Sequence, residues 1–534
     1  MRKREGFLDL VFAGVLLSGC VSPGGAVGGD DEARLRARAR AESAVAPRLV
    51  ALVDDGRQTT RTLASATTQT MKDLRTLRTP EGYRLKFRFY EIGVPVSQAL
   101  SLSASNQLQQ RLLEIVRFDS GEKARAESLL VLAMKKDPAH IKIFKEALLD
   151  RRVSIQFAGL EALEAWALPE AVPYLLDAAR RGWSPLIRVY AAQAAWRLGD
   201  PEGKRLLMEF LSSPDWLMRA MSARYMGDLG TGADADMILD RIGREQDNDF
   251  ALAENCIAGL KLLGRRTAVA PPPPPQPRPA PRRTPVPVSG LFELEPLVVT
   301  APRVRLSGGQ LVDPRIDSRL VYLLDRLASE SLPDMSLADQ STTEVDQLVT
   351  PRGYGLKLRY SNIYYLLTEG LAGTSNLTLV SRIETIARTS PNRLARALAL
   401  VALGYDQTRT GLGIFSDALR EPETFLRFGA VEGLAQQNNP LVRGVLADVS
   451  QSDPSPIVRL FAAQALGQRG DVQAVDTLRR NLGDPDPVTR SLAVYFLGTL
   501  GDEGDFERLL MELDRETDDQ VTAETCLAVL RLSR

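Results

Sequence analysis

Short helices in pairs account for the apolar and polar pattern over most of the chain. Ser184-Pro185, Ser455-Pro456 and Asp486-Pro487 each put a capping oxygen ahead of a proline at the first helical position. An arginine follows at the fourth position (Arg188, Arg459, Arg490). Small residues come three, four and six places later, as in Ala191, Ala192 and Ala194, and let a neighbouring helix approach. Gly199-Asp200 and Gly470-Asp471 close these helices, glycine suiting the left-handed cap. A second apolar helix then runs to the next cap, for example Ala474 to Leu482. Two stretches break this pattern. Leu85, Phe87 and Phe89 alternate with Lys86 and Arg88, and Leu356, Leu358 and Tyr360 alternate with Lys357 and Arg359. Alternation favours a short strand with one apolar face. Strand or helix stays open for residues 82–92 and 353–363, and a helix from Tyr360 to Leu371 is a rival reading beyond the second alternation.

The helix pairs recur at two scales. Arg396, Arg427, Arg459 and Arg490 are spaced 31, 32 and 31 residues apart, and Arg125, Gln156, Arg188 and Arg219 keep the same spacing. Thr79-Pro80-Glu81-Gly82-Tyr83-Arg84-Leu85-Lys86 returns 271 residues later as Thr350-Pro351-Arg352-Gly353-Tyr354-Gly355-Leu356-Lys357. One residue is lost near Asp249, so that Ala253-Glu254 meets Ala523-Glu524. The chain is therefore a tandem duplication of a unit a little over 200 residues long. A pair of helices of roughly thirty residues cannot bury its apolar faces alone and must stack. The expected fold is all-α: two solenoids, at residues 105–265 and 376–534. Cap regions at 34–104 and 311–375 precede them, and a Pro-rich linker at 266–310 joins them.

The stretch Asp453 to Gly467 resembles the HEAT repeat, in the short form of bilin-lyase-like proteins, and Asp484 to Gly498 is a second match. The resemblance implies a ladder between repeats, in which an aspartate six residues before the arginine takes part. Arg125, Arg188, Arg219, Arg396, Arg427, Arg459 and Arg490 are its arginines, and Asp453 and Asp484 fit its acidic position. Asp119 and Asp150 also fit; Gly182 and Ser213 do not. Phe250 and Val521 stand where the next arginine would fall, so the last repeat of each unit is expected to break the ladder. The arginines are read as packing residues, since they recur at every repeat.

At the start, Arg2, Lys3 and Arg4 precede an apolar run from Leu10 to Leu17. This order is that of an export signal, too short to span a bilayer. Leu17-Ser18-Gly19-Cys20 resembles the lipobox of bacterial lipoproteins. That implies cleavage after residue 19 and a lipid on Cys20, and Val21 in the next place implies the outer membrane of a cell envelope. Residues 21–33 have the glycine-rich composition of a flexible tether. Arg34, Arg36, Arg38 and Arg40 then either meet anionic headgroups or form a solvated helix start. Cys256 and Cys526 hold matching places in the two units and read as buried thiols.

The linker opens with Pro271 to Pro275 and continues through Pro287, an extended spacer that predicts two separate bodies. Beyond it, the segment from Leu297 to Arg303 resembles the TonB box of outer-membrane transporters, carried by Leu297, Val298, Val299, Thr300 and Ala301. The resemblance implies strand addition to a TonB partner. The favoured alternative is an edge strand docking on the second unit.

Composition narrows the function. Equal numbers of basic and acidic residues, 67 of each, argue against a nucleic-acid binder. A single histidine excludes multi-histidine metal sites, and His140 reads as a surface residue. Gly199 to Lys204 lacks the spacing of a phosphate loop, and Asp247, Asp249, Asp518 and Asp519 lack the remainder of a calcium loop. No cofactor, metal or catalytic constellation is expected. The expected function is a lipid-anchored envelope scaffold binding other proteins through its solenoid surfaces. Partnership with the TonB system comes second and a lyase-like enzyme third.

Overall fold

The structure is a computed structural model. It describes residues 29–55, 67–90, 92–119, 121–267, 313–328, 340–361, 363–373, 376–405 and 411–534. The first half opens with α1 (Gly29–Asp55), α2 (Gln69–Thr76), α3 (Pro80–Tyr90) and α4 (Gly93–Leu102). Five pairs follow: α5 (Asn106–Phe118) and α6 (Glu122–Met134), α7 (Ile141–Ala147) and α8 (Val153–Trp166), α9 (Val172–Arg181) and α10 (Pro185–Arg197), α11 (Pro201–Phe210) and α12 (Trp216–Leu229), α13 (Ala235–Arg244) and α14 (Asp249–Thr267). The second half repeats the order with α15 (Pro314–Ala328), α16 (Gln340–Gln347), α17 (Pro351–Ser361) and α18 (Tyr364–Gly373). Its pairs are α19 (Leu377–Thr389) and α20 (Arg393–Gly404), α21 (Leu412–Ala418) and α22 (Thr424–Gln436), α23 (Val442–Ser452) and α24 (Pro456–Gly467), α25 (Val472–Arg480) and α26 (Pro487–Leu500), α27 (Glu503–Arg515) and α28 (Asp519–Leu532). The described residues contain no strand.

The helix boundaries follow the local chemistry. Ser184 Oγ accepts the Ile187 N–H at 3.2 Å, and Asp486 caps α26 through the Val488 N–H at 3.0 Å. Gly199 and Gly470 carry φ of +96° and +78°. The N–H groups of Asp200 and Asp471 reach back to the carbonyls of Ala195 and Leu466, each at 3.1 Å, closing both helices.

The two stacks have no free ends. The second helix of each pair forms an inner layer. α4 packs between α28 and α6 with α1 outside it, and α18 packs between α14 and α20 with α15 outside it. The inner helices thus run in a closed cycle: α4, α6, α8, α10, α12, α14, α18, α20, α22, α24, α26, α28, and α4 again. One apolar core runs through both halves. The two separate bodies expected from the linker are therefore a single ring, because the ends of each stack would otherwise expose apolar helix faces.

The short helices cross over. α2 lies on α22, α24 and α26, and α3 lies on α22, all in the other half; α16 lies reciprocally on α8 and α10. The strands that alternation favoured are the helices α3 and α17. Alternation misled because Lys86 and Arg88 are buried along with Leu85, Phe87 and Phe89, so α3 has no polar face to mark a 3.6-residue period.

Both halves share one close helix contact. A Cβ added at Gly227 of α12 would lie 2.7 Å from the Ala258 Cα of α14. A Cβ added at the equivalent Gly498 of α26 would lie 3.0 Å from the Ala528 Cα of α28. Gly227→Ala is expected to cost about 1–3 kcal/mol through overpacking. Gly243→Ala, exposed on α13 with nothing within 4 Å of the new carbon, is expected to add about 0.5–1 kcal/mol. Thermal unfolding followed by circular dichroism measures both; an unchanged Tm for Gly227→Ala would contradict the packing.

Candidate functional site

The repeat arginines lie at the turn inside each helix pair. Arg427 donates to both Asp453 oxygens at 2.9 and 3.1 Å, and its Nη1 also serves the carbonyls of Glu421 and Pro422. Arg125 reaches Asp150 at 3.3 Å, and Arg396 pairs with Glu421. Each guanidinium thus ties its own turn to that of the next repeat. The break expected at the last repeats does not occur. Arg219 pairs with Glu245 at 2.8 and 3.0 Å, and Arg490 pairs with Glu516 at 2.9 Å twice. A glutamate five residues before Phe250 or Val521 supplies the acid from one place further along. Arg459 donates to the carbonyls of Asp453 and Pro454, while Asp484 accepts the Asp486 N–H at 2.8 Å. Arg188 donates to the Ala179 carbonyl at 3.3 Å and lies over the Phe210 ring.

The ring interior holds the residues that sequence reasoning missed. Arg88 of α3 makes a two-pronged bond to Glu524 of α28, at 2.5 Å on each oxygen, and donates to Gln98 at 3.0 Å. The equivalent Arg359 of α17 bonds Glu254 of α14 at 2.5 and 2.7 Å and Glu369 at 2.8 Å. The same symmetry extends along α2 and α16. Ser455 at the head of α24 donates to Asp73 of α2, and Ser184 at the head of α10 donates to Glu344 of α16 at 2.6 Å. Ser455 was expected to cap its own helix; its hydroxyl is directed to Asp73 instead. Arg352 meets Glu164 at 2.6 Å and the Tyr190 hydroxyl at 2.5 Å. The two crossing helices touch where Phe87 packs on Tyr354, with ring centroids 4.3 Å apart. The signal available in the sequence was the duplicated charge itself: Arg88 and Arg359, and Glu524 and Glu254, occupy matched places.

Burial sets the protonation of this interior. It pushes Glu369 up, but Arg359 and Lys261 prevail and hold the carboxyl at about 2. Glu432 of α22 faces Glu81, whose backbone N–H it accepts at 3.2 Å. Burial first, and the Glu81 charge second, lift Glu432 to about 8. Burial lowers Lys86 to about 7, with Arg78 adding to the effect; its ammonium sits over the Tyr83 ring.

Other candidate residues lie away from this interior network. Cys256 and Cys526 are free, buried thiols, pushed by burial to about 12. His140, expected at the surface, is buried edge-on against Phe144 because a short 3₁₀ turn folds it inward. Arg36 pairs with Glu32, and Arg40 pairs with Glu507 at 2.5 Å. Cys20 and the segment Leu297, Val298, Val299, Thr300 and Ala301 lie outside the described residues. No described helix is long and apolar enough to cross a membrane. Among the described residues no cluster of three or more His, Cys, Asp or Glu side chains is placed to hold a metal ion.

A family model of HEAT repeats matches residues 172–258 and 444–529, one stretch in each half. Both halves therefore carry HEAT repeats. Curated proteins give no match. Among solved structures, human deoxyhypusine hydroxylase in complex with glycerol is similar at 16% identity and a TM-score of 0.24, over 67% of this chain and 95% of that one. Kap121p aligns at 13% identity and a TM-score of 0.29, over 82% of this chain and 52% of that one. The karyopherin Kap121p bound to the SUMO protease Ulp1p aligns at 12% identity and a TM-score of 0.31, over 94% of this chain and 49% of that one. The chain thus spans about half the length of each karyopherin structure.

The buried charges make two outcomes testable. Arg88→Met leaves Glu524 buried without its cation and is expected to cost about 3–5 kcal/mol in urea unfolding. Arg88→Met with Glu524→Leu is expected to recover most of that loss. Glu432 holds its proton longer folded than unfolded, so its contribution falls as pH rises from the usual 4.5 through about 8. Glu432→Gln should therefore melt higher than the parent at pH 8 and close to it at pH 4. Equal Tm differences at both pH values would contradict the buried proton.

Proposed function

We propose that this HEAT-repeat protein is a lipid-anchored cell-envelope scaffold that holds other proteins on the rim of its ring. Solenoids commonly offer a concave face to partners, but here α2, α3, α16 and α17 pack on the inner helices. The rim is therefore the surface left for a partner. The observation that carries it is a row of exposed apolar side chains in successive turns of the first half: Phe118 (82% exposed), Leu149 (84%) and Trp183 (57%). Arg125 and Asp150 tie the first two of those turns together. The second half has Thr389, Arg420 and Pro454 in the same places. Single exposed apolar residues are ordinary; a row of them along one edge suits a protein partner. Arg117 and Arg151, exposed beside that row, favour a partner with acidic groups around an apolar strip.

Glu42 of α1 accepts from Ser103 and Ala104 at 2.7 and 2.6 Å, at the turn between α4 and α5. Phe118 lies at the other end of α5. The proposal involves no catalytic step.

Crosslinking in living cells, followed by affinity purification and mass spectrometry, tests the reading. Phe118→Ser/Leu149→Ser/Trp183→Ser is expected to change stability by only about 0.5 kcal/mol per site and to lose the captured envelope proteins. Capture of the same set by parent and variant would contradict the rim. Deleting residues 291–305 is expected to leave the set unchanged; selective loss of a TonB-like protein would favour the linker instead.

A further inference from the structure

The apolar row on the rim repeats with the period of the fold itself. Phe118 ends α5, Leu149 lies two residues beyond the end of α7, and Trp183 lies two residues beyond the end of α9. Arg125 ties the first of these turns to Asp150 in the second. The Lys145 ammonium of α7 sits 4.0 Å from the centroid of the Tyr174 ring of α9, so the second and third outer helices also lie side by side. Helices packed in this way stand about 8–10 Å apart, and that spacing sets the step from one apolar side chain to the next.

The step selects the backbone of whatever lies along it. In an α-helix, residues seven apart share a face and stand about 10.5 Å apart along the axis. In a strand, residues on one face recur about every 6.7 Å, so one step falls short of the row and two steps overshoot it. A polyproline helix recurs about every 9.3 Å, but such segments dock in grooves walled by aromatic side chains, and here Leu149 stands between Phe118 and Trp183. Charge narrows the partner further. Arg117 and Arg151 are exposed next to Phe118 and Leu149, and acidic side chains flanking an apolar stripe would face them.

We propose that the partner docks through an amphipathic α-helix laid along the rim, with an apolar residue at every seventh position and acidic residues beside that stripe. Two steps of the row take up about fifteen helical residues, roughly four turns. The inference rests on the rim as the docking surface and adds the backbone, register and charge of what docks there. The second half, with Thr389, Arg420 and Pro454 in the corresponding places, offers no such stripe.

Photocrosslinking in living cells tests it. Benzoylphenylalanine replaces Phe118, Leu149 or Trp183 of the full chain, one position at a time, and mass spectrometry identifies the partner residue joined to each. All three positions are expected to join one acidic segment, at points about seven residues apart and in order along it. Arg117→Glu/Arg151→Glu is expected to lower the capture about tenfold. Points two or three residues apart, or a proline-rich or basic segment, would overturn the helix and keep the rim. Parent-like capture by the charge variant would overturn the acidic flanks. Joining to lipid, or no joining at any of the three positions, would overturn the helix and the rim together.

Discussion

A guanidinium sunk in the middle of a protein needs a carboxylate within reach, and here that carboxylate belongs to the other half of the chain. Arg88 is held by Glu524, and Arg359 by Glu254, in the same geometry on opposite sides of the ring. All four side chains are buried. The crossing helices α3 and α17 are therefore fixed to the half they visit, and the inner helices around them have their concave surfaces covered. The loss of the concave face as a docking surface depends on this exchange, and it adds to the ring closure made by α4 on α28 and α18 on α14.

The exchange also changes what a HEAT array does at its ends. An ordinary solenoid needs polar capping repeats. Here each stack is capped by the first helices of a unit, with α1 and α4 seated on α28 and α15 and α18 on α14. The arginine ladder continues to Glu245 and Glu516 instead of stopping short of these seams. What remains open to partners is the rim and the outer layer, where the two halves differ in apolar character.

Much of this was legible in the sequence. The duplication, the thirty-residue period, the proline-started helices and the left-handed glycines at 199 and 470 are local or self-repeating features, and each has a local physical cause. The exchange was not legible. A contact of Arg88 with Glu254 in its own half, or with Glu524 in the other, leaves the same pattern in a duplicated chain, because both acids are present at matched places. The nature of α3 was hidden for a related reason. Lys86 and Arg88 are both buried, Arg88 against a cross-half partner, so hydrophobic periodicity reported alternation and missed the helical turn. The inward position of His140 was equally hidden, since a turn residue's neighbours come from packing rather than from sequence order.

The central claim is that the two halves form one body through the exchanged helices and not through the linker. A protease site placed within residues 271–290 allows the linker to be cut after folding, and size-exclusion chromatography then reads the state of the pieces. The account predicts that the cut halves stay together and elute at the volume of the intact chain, separating only when Arg88 and Arg359 are both replaced by Met or when denaturant is added. Two halves that drift apart on cleavage, each eluting as a folded piece of half the mass, would contradict it.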